Sequence, residues 1–76
     1  MINLLIGCLK RTARGVPVVK TTDEVKKYFD RRGYVMSRKV LENTLKKLLF
    51  KPYKWGCISR VSRGARIYYY IEYRKL

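Results

Sequence analysis

The chain has 76 residues, with nineteen Lys and Arg against five Asp and Glu, a formal charge of +14, and no histidine. A domain this small buries only ~60% of the surface its unfolded chain exposes, so residues 1–76 read as a single domain without a deep catalytic cleft. Two cysteines, no histidine and five scattered carboxylates argue against an enzyme, a metal centre or a cofactor site, and the charge argues for a polyanionic partner.

The opening MINLLIGCL is apolar for nine residues and is followed by KRTAR. This is too short for a membrane span and has the wrong flanks for a signal peptide, so the expected location is intracellular, in cytoplasm or nucleoid. Cys8 and Cys57 read as small apolar residues in or near the core. The lack of Gln and the wealth of Lys, Arg and Tyr give a thermophile-like composition.

Residues 2–13 place Ile2, Leu5, Ile6, Leu9 and Ala13 on one helical stripe, with Gly15 as terminator. Leu4 and Cys8 broaden the stripe. The stripe reads first as core packing, and its surplus offers a second reading, a homodimer through this helix. Val16 to Val19 form a short extended stretch, in which Pro17 restricts any strand to an edge or a start.

A second helix is expected over residues 21–33. Thr21 and Glu24 form a capping box, Asp23 adds negative charge in the first turn, and Gly33 ends the helix. Val25, Tyr28 and Phe29 supply its buried side. After a short turn, SRKVLENTLKKLLFK at 37–51 reads as a third helix, with Ser37 as cap and Pro52 as stop. Leu41, Leu45 and Leu48 share its core side, flanked by Val40 and Leu49, while Lys39, Asn43 and Lys46 point the opposite way. Two helices joined through a Gly-containing turn are the signature of a helix-turn-helix, whose second helix commonly enters a DNA major groove. Asn43 is the candidate base reader, since an amide pairs with adenine N6 and N7. Thr21, and Ser37 at the start of the third helix, join the candidate set as phosphate contacts at helix N-termini.

Two alternating strands follow, near 56–61 and 66–74, joined through Ser62, Arg63, Gly64 and Ala65. Pairing Ser62 with Ala65 sets Ile58 opposite Tyr69 and Gly56 opposite Ile71, which gathers Ile58, Ile67, Tyr69, Ile71 and Tyr73 on one face. Arg60, Arg63 and Arg66 then crowd the hairpin tip, where phosphate or minor-groove contact explains them better than solubility.

The two-helix unit TTDEVKKYFDRRGYVMSRKVLENTLKKLL and the hairpin GCISRVSRGARIYYYI resemble the winged-helix family of helix-turn-helix proteins, over nearly the whole chain. The resemblance implies an α+β fold of three helices with a C-terminal β-hairpin wing and a short third strand. It further implies a third helix in the major groove, using Arg38, Lys39, Asn43, Lys46 and Lys47, and a wing that touches backbone or minor groove through Arg60, Arg63 and Arg66. The link from Phe50 to Trp55 is longer than that family's pattern.

The function expected first is double-stranded DNA binding by a small transcription regulator or chromatin-associated protein, lysine-rich and so only modestly specific. RNA or ribosome binding is the alternative, with Tyr68, Tyr70 or Trp55 stacking unpaired bases, although tyrosines are also good strand formers that pack across a sheet. A protein-interaction module built on the first helix is the third class.

Overall fold

The structure is a computed structural model and describes residues 1–75. Three helices cover one side of a three-stranded antiparallel sheet. The order is α1 (Ile2–Leu9), β1 (Val19–Thr21), α2 (Thr22–Arg31), α3 (Arg38–Leu48), β2 (Gly56–Arg63) and β3 (Arg66–Tyr73). In the sheet the strands lie β1-β3-β2, so β3, the last to be made, is central and ties the start of α2 to the C-terminal hairpin.

One core joins the helices to the sheet: Leu5, Cys8 and Leu9 from α1, Val25 and Phe29 from α2, Leu41 and Leu45 from α3, and Ile58, Tyr69 and Ile71 from the hairpin. Leu48 is half-buried and packs against this cluster, as do Ile2, Leu4 and Ile6, the partly buried apolar surplus of α1. Gly7 lets α2 approach α1 closely, because a Cβ there would stand 3.0 Å from the Tyr28 hydroxyl.

α1 stops at Leu9, short of the expected Ala13. Lys10 is extended, with ψ 152°, and the polar run beyond it makes its own turn. Gly15 N–H donates to the Thr12 carbonyl, Thr12 N–H to the Val16 carbonyl, and Val16 N–H to Thr12 Oγ1. The Arg11 N–H reaches the Tyr73 hydroxyl at 2.9 Å while its guanidinium lies 3.9 Å over the same ring. The amides of Arg11 and Thr12 thus find partners outside the helix, and Ala13 is exposed. The expected third strand exists but begins at Val19, where pairing with β3 starts, and the Pro17 segment lies outside it.

α2 carries both halves of the capping box. α3 begins as expected, with Val40 N–H donating to Ser37 Oγ at 3.2 Å, but ends at Leu48, four residues before Pro52. Leu49 is extended, and Phe50 adopts φ +61°, left-handed for a residue with a Cβ, where its N–H meets the Ile58 carbonyl at 2.8 Å. The chain therefore turns back along β2. Tyr53 bridges to Gly56, and the Tyr53 and Trp55 rings stack at 4.9 Å and 5°.

The hairpin register differs from the expected one by two residues. Arg63 pairs with Arg66, Ile58 with Ile71, and Gly56 with Tyr73, leaving Gly64 and Ala65 as a two-residue turn. Gly64, at φ +60°, supplies the first central residue that such a turn requires. A slip of two preserves the faces, because side chains alternate with period two, so the expected apolar face stands. Gly56 is obligatory for two reasons: its φ is +132°, and an added Cβ would collide with the Glu72 carbonyl oxygen and come 2.9 Å from the Arg74 nitrogen.

Candidate nucleic-acid interface

With Leu41 and Leu45 buried, the helical period turns Lys39, Asn43, Lys46 and Lys47 to solvent, and all four are exposed. Lys39 and Asn43 lie one turn apart near the centre of this surface. Lys46 and Lys47 sit in the last turn, where they also complement the negative end of the helix dipole. Among the described residues none of the three lysines makes an ion pair.

Arg38 stands apart from them. Its guanidinium bridges Asp23 at 2.9 Å, from the first turn of α2, and Glu42 at 3.1 Å, one turn along α3. The trio lines a cleft with Ala65, Arg66 and Ile67 of the hairpin. Arg38 thus links α3 to α2 through an exposed ion pair, and its single charge is already shared by two carboxylates before any ligand arrives. The i,i+4 spacing of Arg38 and Glu42 carried this signal in the sequence; the Asp23 contact depends on how the helices pack.

The two capping hydroxyls differ in what they have left to give. Thr21 Oγ1 accepts from Glu24 N–H and donates to Glu24 Oε1 at 3.1 Å, which leaves no hydrogen for a phosphate. The Thr21 backbone N–H also donates to Glu24 Oε1 at 3.0 Å, and this bond above all, with the hydroxyl's, holds the Glu24 carboxyl below the usual carboxylate range. Ser37 Oγ accepts from Val40 N–H alone, so among the described residues its own hydrogen is given to no protein acceptor.

The hairpin arginines do not share a face. Register places Arg63 and Arg66 opposite one another on the outer side of the sheet, whereas Arg60, opposite Tyr69, is on the side of the helices. All three are exposed. The tip expected as one cluster is a pair of cations on one side and a single cation on the other.

Val40, expected to flank the core, is 52% exposed, and the turn before α3 leaves Val35 76% exposed. These two, with Tyr34, make an apolar border beside the basic face. Burial pushes the Cys8 thiol above its ordinary range, and Cys8 and Cys57 are both free thiols. Among the described residues no group of His, Cys, Asp or Glu is placed to hold a metal ion, and no helix is long and apolar enough to cross a membrane. Compared with known protein families, characterised proteins and solved structures, the chain matches none of them.

Proposed function

We propose that the protein is a double-stranded DNA-binding winged helix of the transcription-regulator or chromatin-associated kind, working inside the cell in cytoplasm or nucleoid. The observation that carries the proposal is the outer surface of α3. Three lysines that make no ion pair among the described residues surround Asn43 on the exposed side of the second helix of a helix-turn-helix unit. The element order and the β1-β3-β2 sheet fit a winged helix, with Arg63 and Arg66 at the tip of the wing.

In this reading α3 lies in the major groove with Lys39, Lys46 and Lys47 on phosphates. Asn43 reads adenine, and Val40 gives the groove an apolar neighbour suited to a thymine methyl. Ser37 donates its hydroxyl hydrogen to a phosphate at the helix start. Val25 and Phe29 of α2 share a core with Leu41 and Leu45 of α3, so the two helices meet the duplex as one body, with Arg38 bridging them at the surface. Arg63 and Arg66 neutralise the flanking backbone, and Arg60 reaches the duplex from the helix side of the wing.

A salt titration of binding to random and selected duplexes, with structured RNA as competitor at equal salt, tests the proposal. Duplex DNA should outcompete the RNA, and affinity should fall steeply with salt for every duplex. RNA that displaces the duplex at an equal or lower concentration overturns it.

A further inference from the structure

We propose that the outer face of the sheet is a second nucleic-acid surface, a stacking platform for unpaired DNA bases next to the duplex held by α3. The proposal rests on the duplex reading above.

Alternation along β3 turns Tyr69 and Ile71 into the core and sets Tyr68 and Tyr70 on the opposite side. Tyr70 lies between Ser59 of β2 and Val19 of β1, and Tyr68 between Val61 and Thr21. None of Tyr68, Tyr70, Val19 and Val61 belongs to the core or packs against it. Val19 is 52% and Val61 38% exposed. With Arg63, these four side chains line one shallow hollow. An ordinary solvated sheet face would alternate polar residues here; this one presents two half-buried aromatic rings propped by valines.

The spacing and the charge both suit a single strand of DNA. Residues two apart on a strand are about 6.8 Å apart, two base steps of about 3.4 Å, so each ring has room for a base of its own. Every base has a π-face, so a tyrosine pair accepts any sequence. Arg63 and Arg66 stand at one end of the face, and Arg74, next to the end of β3, lies at the other. The carboxylate on this face, Glu72, is engaged by the Ser59 hydroxyl at 3.1 Å. A second copy of a chain carrying +14 would meet this surface with repulsion, whereas a polyanion with exposed bases matches both its charge and its rings. Trp55, by contrast, stacks on Tyr53 and packs against the core, so it is not part of the platform.

Because Arg63 belongs both to the wing tip and to the hollow, a strand that leaves the duplex at the wing passes directly onto Tyr68 and Tyr70. The protein would accordingly prefer a duplex with an unpaired tail, such as a fork, a flap or a melted end, to a blunt one.

The test uses the full chain with four probes: a blunt duplex, the same duplex with a DNA tail of about ten nucleotides, within the range of small single-strand sites, the same duplex with an RNA tail, and an isolated DNA strand. The parent should bind the DNA-tailed probe about tenfold tighter than the blunt one. Y68T/Y70T keeps strand-forming residues and, assayed well below its melting transition, should abolish that preference while leaving blunt-duplex affinity unchanged. Y68F/Y70F should retain the preference. Val61→Glu, an exposed change beside Tyr68, should remove it by charge alone and guards against misfolding of the double variant. A parent that gains nothing from the tail overturns the platform, as does a preference that survives both Y68T/Y70T and Val61→Glu. A stronger gain from the RNA tail than from the DNA tail overturns its assignment to DNA. If the blunt duplex does not bind but an isolated DNA strand does, with the same dependence on tyrosine, the duplex reading fails and the platform stands.

Discussion

The strongest quantitative consequence of the interface is its dependence on salt. Lys39, Lys46, Lys47, Arg60, Arg63 and Arg66 are exposed and lie outside the ion pairs found among the described residues, while Arg38 is held by Asp23 and Glu42. If all six reach phosphates, at roughly 0.9 per contact, log affinity falls against log salt with a slope of about −5. Raising salt from about 50 to 200 mM then weakens binding by about a thousandfold. Arg63→Ala should make the slope shallower by about 0.9 and weaken all duplexes alike. The combined change Asp23→Asn and Glu42→Gln should do the reverse, because it releases Arg38 towards the phosphates and steepens the slope by about the same amount. Fluorescence anisotropy with a labelled duplex across that salt range measures all three proteins. An Arg63→Ala slope equal to the parent's refutes the wing contact, and a released Arg38 that leaves the slope where it was refutes the claim that its carboxylate partners hold it back.

Asn43→Ala should leave the slope nearly unchanged and cost about 1 to 3 kcal/mol of discrimination between duplexes; equal affinity of parent and variant for every duplex would reduce α3 to a backbone binder. Leu45 is fully buried, and Leu45→Ala should lower stability by about 2 to 5 kcal/mol in chemical denaturation. Gly56→Ala combines a positive φ with a collision against the Glu72 backbone and should cost about 3 kcal/mol or more, so an alanine variant that melts with the parent contradicts the closure at the base of the hairpin. The Glu24 carboxyl titrates below its ordinary range in the folded protein. Its contribution to stability is therefore complete above the unfolded carboxylate pKa and lost as pH falls through the folded one. Thermal melts between about pH 3 and pH 7 should show a shallower acid limb for Glu24→Gln than for the parent.

What the sequence determined by itself was whatever rests on near neighbours. Capping boxes and N-caps join residues three apart, so Thr21 with Glu24 and Ser37 with the Val40 amide were legible before any fold was known. The period of the leucines likewise settled which side of α3 is buried and left Lys39, Asn43 and Lys46 facing out. Tertiary structure decided where elements stop and how they meet. α1 ends at Leu9 because Arg11 finds Tyr73, sixty-two residues away, and α3 ends at Leu48 because the Phe50 amide finds Ile58; no local pattern encodes either partner. The hairpin register could slip by two without disturbing the hydrophobic alternation, so alternation fixed the faces and the turn fixed the pairing. The same parity parts Arg60 from Arg63 and Arg66, although the three are neighbours in the chain. Arg38 has one carboxylate partner within its own helix, Glu42, and gains the second, Asp23 of α2, only once the two helices are packed.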